Sequence, residues 1–401
     1  MPHRIFVKNG ILITPRNLLN GALVIEDGEI AECGFLGEIA KDAMIIDAKG
    51  MYVAPGFVEI HAHGGGGADF MDATPEAFFT VASTHRKHGT TSLLPTTVAC
   101  SKQAAQMVFS AYRSAISMPA PVHYLGLHLE GPYIANDMRG AQNAAHIRPP
   151  APKEVDWLMD TAGDILKLCT TAPELAGTEY MAAQMQKRGI FLSCGHSAAT
   201  YSDMLQARKM GFCHITHLYS GTTSVRKINQ TMCAGILEAA YLMDDMRIEL
   251  IGDGHHVPKE VLLLALKLKG AHYINLTTDA MRAAGTFEKE SFLGQRLQKN
   301  RVIVEDGVAK LPDKSSFAGS IATGDGILKW AVLSCGIPLT EAVMMLSLTP
   351  ASVVGADDKK GSLEPGKDAD IIFLNQQLTV VNTILSTEFK RMGSANLEVV
   401  V

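Results

Sequence analysis

From about residue 56 to 350 the chain alternates short apolar runs with helix-length stretches. No other feature restricts the fold as much. "TSLLPTT" precedes a helical stretch at 101–117, "ILKLCTTAPE" one at 178–188, "GIFLSCGHS" one at 200–210 and "RIELIGDG" one at 258–268; "VHYLGLHLEGP", "FCHITHLYS" and "YINLTTDAM" are further runs. Parallel strands need a long crossover between them, so this rhythm predicts βα units on a parallel sheet. About eight units over roughly 250–300 residues suit a (β/α)8 TIM-like barrel. Both ends of the chain read differently. "RIFVKNGILI", "GALVIEDGEIAECG" and "AMIIDAKG" near the start, and "ADIIFLN" and "LTVVNTILST" near the end, are strand-like. The Asn-Gly and Asp-Gly pairs in the first group are hairpin signals.

The barrel reading assigns positions. His61, His63, Glu130, His196, His217, Asp253 and Asp279 each fall at the C-terminal end of a predicted strand, the catalytic rim of such a fold. His61 and His63 are two apart, so their imidazoles share a face. They are either a chelating pair or two hydrogen-bonded histidines at a strand end. The glycines 64–67 after them either admit a ligand to the backbone or form a mobile loop. Glu130 closes a buried apolar run, where a carboxylate is costly unless paired or bound to a cation. His128, two before it, reads as support for a ligand. His214 reads as a satisfied core histidine and Cys194 as a small buried hydrophobe. Asp279 is either a helix N-cap or a general base, and Asp253 a turn-former before His255 and His256.

Taken together, His61, His63, Glu130, His196, His217 and Asp279 form a mixed nitrogen and oxygen set. It suits one or two divalent ions, zinc first, with iron or manganese as alternatives. Such an ion lowers the pKa of water to about 7, and a neighbouring carboxylate can relay the proton, which points to hydrolysis of an amide or similar bond.

Other features narrow the setting. The chain is 47% hydrophobic and 19% charged with a net charge of −5 and no basic stripe, so nucleic acid is excluded as a partner. No apolar run is long enough for a membrane span. The start lacks the apolar core of a signal peptide, and the seven cysteines include no C-x-x-C pair, which favours a reducing cytoplasm.

The motifs "APGFVEIHAHG", "GLHLEGPY", "GHS", "THLYS", "GDGHHV", "TTDAM", "FAGS" and "LTPASVVG…KGSLEPGKDADIIFL" resemble the amidohydrolase superfamily, and within it the N-acetylglucosamine-6-phosphate deacetylases. The resemblance implies a barrel over 56–354 and a small β-sandwich domain from 1–55 plus 355–401. Glu130, His196 and His217 would hold the principal ion, and His61 and His63 a second. Asp279 would activate water and then protonate the departing amine. His256 would reach the sugar phosphate, and the enzyme would be a homodimer acting on a small amino sugar.

The family's H-L-Y-N-A-M is here His217-Leu218-Tyr219-Ser220-Gly221-Thr222, which places Ser220 and Gly221 at the substrate. Ile228 stands where the family has its phosphate-binding arginine, with Arg226 the better replacement over Lys227. The sugar-contacting histidine of the family is Gln142. The alternatives are a deacetylase of another N-acyl amino sugar (galactosamine type or unphosphorylated), another cyclic-amide amidohydrolase, or a scaffold without catalysis.

Overall fold

The computed structural model describes residues 4–39 and 43–392; positions 1–3, 40–42 and 393–401, which include the extreme ends of the segments expected to pair, lie outside the described residues. The predicted βα rhythm appears as eight parallel strands: Phe57–Ala62, Thr90–Pro95, Leu127–Glu130, Leu166–Thr171, Phe191–Cys194, Phe212–Ile215, Arg247–Ile251 and Ile274–Thr277. The last six form one sheet in chain order, and the first two pair with each other. Single parallel bridges join the two sheets, Thr96 with His128 on one side and Ala62 with Ala280 on the other, so the parallel sheet curls on itself. Four of these strands are buried along their whole length and each of the other four has a single half-buried residue, as a parallel sheet covered on both faces requires.

Helix Lys102–Ile116 shows why the intervening segments are helical. Ser101 caps it by accepting from the Ala104 N–H, and it buries Ala105, Val108, Phe109, Tyr112 and Ala115 along one stripe. Helices Thr178–Gln186, Tyr201–Lys209 and Lys259–Lys269 lie where the periodicity places them.

The strand-like ends meet in a single seven-stranded sheet, in which Arg4–Ile13, Leu18–Glu26, Glu29–Phe35, Met44–Asp47 and Tyr52–Pro55 are joined by Ile371–Leu374 and Val380–Ile384. Hydrogen bonds link all seven of these strands. Arg4–Ile13 pairs antiparallel with Leu18–Glu26 along one edge and parallel with both Met44–Asp47 and Tyr52–Pro55 along the other. The two hairpin signals part company. Asp27-Gly28, with φ of 49° and 77°, turns the chain between Leu18–Glu26 and Glu29–Phe35 as expected. Asn9-Gly10 does not turn it: one strand runs through, with a register shift between Val7 and Gly10. A three-stranded antiparallel sheet, Glu290–Phe292 with Arg301–Glu305 and Val308–Lys310, follows the last parallel strand and has no clear counterpart in the sequence reading.

All seven cysteines are free. Among the described residues no helix is long and apolar enough to cross a membrane.

Asp370 ties the terminal sheet to its surroundings. Its carboxylate accepts from Lys360 Nζ at 2.6 Å, the Ser386 N–H at 2.8 Å and His123 Nε2 at 3.0 Å. Burial pushes this carboxyl up, but His123 and Lys360 outweigh burial and hold it well below the usual carboxylate range. A depressed folded pKa adds stability above the unfolded pKa that is lost as pH falls through the folded one. Asp370→Ala should therefore cost about 3–5 kcal/mol at neutral pH, the scale for breaking a buried ion pair. Thermal melts of both proteins should show the gap narrowing below about pH 4, the ordinary carboxylate range; a gap independent of pH would remove the ionised carboxylate from this role.

Candidate metal centre and active site

The predicted ligands converge. Glu130 ends its strand, while His196, His217 and Asp279 each lie two residues past the end of theirs. All three of the latter adopt a left-handed backbone, with φ of 47°, 29° and 44°. Such conformations cost non-glycine residues about 1–3 kcal/mol each and persist only where surrounding structure enforces them. Here they mark the points where each strand gives out and its next functional side chain meets the rim.

The four imidazoles are oriented in the same way. His196 Nδ1 is 2.8 Å from Met138 O, His217 Nδ1 3.0 Å from Ser220 O and His63 Nδ1 3.3 Å from Thr96 O. His61 Nδ1 instead meets a carboxylate, Glu249 Oε1, at 2.7 Å. Each Nδ1–H thus has an acceptor, and each Nε2 is left to face the centre. His196 Nε2 and His217 Nε2 approach the same oxygen of Glu130, at 3.1 and 3.0 Å. His63 Nε2 lies 3.4 Å from the other Glu130 oxygen and 3.3 Å from Asp279 Oδ1. His61 Nε2 lies 3.6 Å from both Glu130 and Asp279 and is buried without a hydrogen-bond partner.

These residues fit a divalent ion. Ligands about 2.0–2.1 Å from a tetrahedral ion stand about 3.3 Å apart, close to the spacings observed. His61, His63 and Asp279 offer donor atoms all within 4.8 Å of one another, and so do His61, Glu130 and His217. His61 thus belongs to both groups, whereas the family resemblance gives it to one. The buried charge also calls for a cation. Burial pulls the His61 imidazolium down, yet Glu249, Asp279 and Glu130 outweigh burial and hold it well above its usual range. Burial pushes Asp279 up, but His61 and His63 prevail and bring its carboxyl down to about 2. Glu130 is likewise held well below the carboxylate range against burial, by His61, His196 and His217.

Two buried carboxylates escaped the sequence reading. Glu59 accepts from the His61 N–H at 2.9 Å, Thr277 Oγ1 at 2.6 Å and the Thr278 N–H at 2.9 Å, linking the His61 strand to the segment that carries Asp279. Burial pushes its carboxyl up. Glu249 accepts from His61, the His217 N–H and Asn275 Nδ2. A signal existed for both: a carboxylate in the middle of an apolar strand, with Glu59 two residues before His61 on the same face.

The remaining candidates divide. Gln142, Ser220, Gly221 and His256 line one cavity with His63, Glu130, His196, His217 and Asp279. Gln142 donates to Glu130 Oε2 at 2.6 Å and accepts from the Ala99 N–H at 2.7 Å, so its amide is already engaged with a ligand. Asp253 accepts from the N–H groups of His255 and His256 and meets His256 Nδ1 at 2.7 Å, which makes its turn-forming reading apt and adds an orienting one. Ser316 and Phe317, which the sequence reading did not single out, complete the wall, with the Phe317 ring 4.6 Å from that of His256.

Arg226 is not brought to the cavity; its guanidinium donates to Ala198 O, just beyond His196. The glycines do permit close approach, but to protein. A Cβ on Gly64 would meet Ala68 O at 2.5 Å and Arg282 N at 2.7 Å. His128 hydrogen-bonds Ile60 O and Thr170 and packs its ring 4.7 Å from that of His61, so it supports that imidazole. His214 is in the core but only half satisfied: Nδ1 meets Ser193 Oγ at 2.9 Å and Nε2 has no partner. Cys194 is buried, and burial pushes its thiol up.

Known proteins resemble the chain over most of its length. The chain is 32% identical over 360 residues to the N-acetylglucosamine-6-phosphate deacetylase of Lysinibacillus sphaericus, covering 87% of this chain and 90% of that one. It is 29% identical to the N-acetylgalactosamine-6-phosphate deacetylase of Escherichia coli O157:H7, over 82% of this chain and 85% of the relative. It superposes on the crystal structure of N-acetylglucosamine-6-phosphate deacetylase from Pasteurella multocida with a TM-score of 0.88 at 28% identity, over 96% and 98% of the two chains. The amidohydrolase family pattern matches residues 52–396, and the chain belongs to that family.

Proposed function

We propose that the protein is a metal-dependent deacetylase that hydrolyses the N-acetyl amide of an amino sugar 6-phosphate. The preferred substrate is N-acetylglucosamine-6-phosphate, giving glucosamine-6-phosphate and acetate. One observation carries this reading: three imidazoles (His63, His196 and His217) and two carboxylates (Glu130 and Asp279), drawn from distant strand ends, line a single cavity, with the buried His61 Nε2 3.6 Å behind both carboxylates. The relatives named above act on the same class of compound.

In this reading the eight parallel strands make a (β/α)8 barrel over 56–354, with 1–55 and 355–401 as the accompanying β-domain. His61, His63, Glu130, His196, His217 and Asp279 would hold one or two divalent ions, with zinc favoured for its mixed nitrogen and oxygen ligands. An ion there supplies Lewis acidity, lowering the pKa of water to about 7 and polarising a carbonyl. Asp279, whose carboxylate faces His61 and His63 across the centre, takes a proton from the attacking water and returns it to the departing amine nitrogen. His256, with Nδ1 engaged by Asp253, offers Nε2 to the sugar phosphate. Ser220, Gly221 and Gln142 shape the wall against the sugar. The protein would work in the cytoplasm as a homodimer.

A second reading, a galactosamine-type substrate, is favoured by the relative from Escherichia coli O157:H7, which is almost as similar as the glucosamine-type ones. An acetate-release assay on N-acetylglucosamine, N-acetylgalactosamine and N-acetylmannosamine, each with and without the 6-phosphate, separates the two. N-acetylglucosamine-6-phosphate should give the highest kcat/KM. No acetate from any of the six would overturn the proposal.

Asp279→Asn should keep an ion at Glu130, His196 and His217 and lose at least about 10²-fold in kcat, since acid–base catalysis supplies roughly 10²–10⁴. Turnover near the wild-type level would take Asp279 out of the reaction. Arg226 lies outside the cavity wall, so its assigned task is to brace the loop after His196. Arg226→Ala should then lower kcat and change KM equally for phosphorylated and unphosphorylated sugars. A rise in KM confined to the phosphorylated sugar would restore it as a phosphate ligand.

A further inference from the structure

The interior carboxylate Glu249 is a feature the proposed chemistry does not use. Its strand, Arg247–Ile251, is otherwise apolar through Ile248, Leu250 and Ile251, and Glu249 itself is fully buried. An ionised group there is costly unless every oxygen has a donor. Both have: Oε1 takes His61 Nδ1 at 2.7 Å and the His217 N–H at 3.1 Å, and Oε2 takes Asn275 Nδ2 at 3.0 Å. Asn275 Oδ1 and His61 Nε2 are both buried without partners, so the network does not close on the far side of either group.

We infer that Glu249 is a positioning residue for the metal centre, fixing His61 as the Nδ1–H tautomer so that its Nε2 lone pair serves the ion position. The inference rests on the metal-site reading above and adds a residue to it. His61 is the one histidine of the four whose Nδ1 is held by a carboxylate; the other three meet backbone carbonyls. It is also the one that belongs to both possible ligand groups. A carboxylate behind an imidazole selects the tautomer, fixes the ring and raises its basicity more than a neutral carbonyl does. Because Glu249 also holds the His217 backbone, it locks two ligands from different strand ends to one anchor.

The test is zinc affinity by competition with a chelator, a readout independent of any substrate. Glu249→Met conserves volume but removes the acceptor, and it should weaken zinc by about 10–100-fold, the usual cost of losing such a partner. Glu249→Gln can still accept from Nδ1–H if Asn275 reverses its amide, and it should recover most of the affinity. In a His61→Ala background, Glu249→Met should weaken zinc several-fold less than it does with His61 present, because only the anchor on the His217 backbone is then lost. Melting of the metal-free proteins checks folding. Should Glu249→Met not fold, Glu249→Asp, which withdraws the carboxylate by one methylene, takes its place with the same expected loss. Unchanged affinity in Glu249→Met, or an equal loss with and without His61, would overturn the inference while leaving the metal site standing. Failure of the wild-type protein to bind zinc would overturn both.

Discussion

Everything at the rim depends on the direction in which four imidazole rings point. Each has its Nδ1 within reach of an acceptor, and each consequently turns its Nε2 toward Glu130, Asp279 or both. Hydrogen bonds on the far side of a ring settle which nitrogen keeps a lone pair. Four imidazole nitrogens and two carboxylates facing inward in a buried space form a donor set that a divalent cation fits.

The backbone accepts strain to produce this arrangement. His196, His217 and Asp279 hold left-handed conformations that a glycine or asparagine would adopt more cheaply. The restraint comes from beneath. Glu59 ties the His61 strand to Thr277 and Thr278, and Glu249 ties the His61 ring to the backbone of His217. The curl of the parallel sheet brings these elements together. Its closing bridge at Ala62 and Ala280 lies beside both His61 and Asp279.

Much of this is legible in the sequence. The apolar runs and the helices between them fall where periodicity puts them, because a strand buried on both faces and a capped amphipathic helix leave strong local patterns. The six candidate ligands are legible because a charged or imidazole group closing an apolar run is conspicuous. Other features depend on contacts between distant segments. Asn9-Gly10 carries a hairpin pattern, yet strands on both sides of Arg4–Ile13 hold it straight. Gly64 gives way to Arg282, more than two hundred residues on, and no local pattern announces that. The charge and spacing of Arg226 suit a phosphate, whereas its direction is set by the loop after His196. Glu59 and Glu249 stand inside apolar strands rather than at their ends, so their tasks follow from partners on other strands, Thr277 and Thr278 for one and His61, His217 and Asn275 for the other.

The most direct measurement of the central claim is an anomalous-scattering map from crystals grown with zinc. The account predicts a peak about 2.0–2.2 Å from Glu130 and from the Nε2 atoms of its neighbouring histidines, with Nδ1 of His61 still against Glu249. Zinc bound only elsewhere on the protein, or imidazoles presenting Nδ1 to the centre, would contradict it.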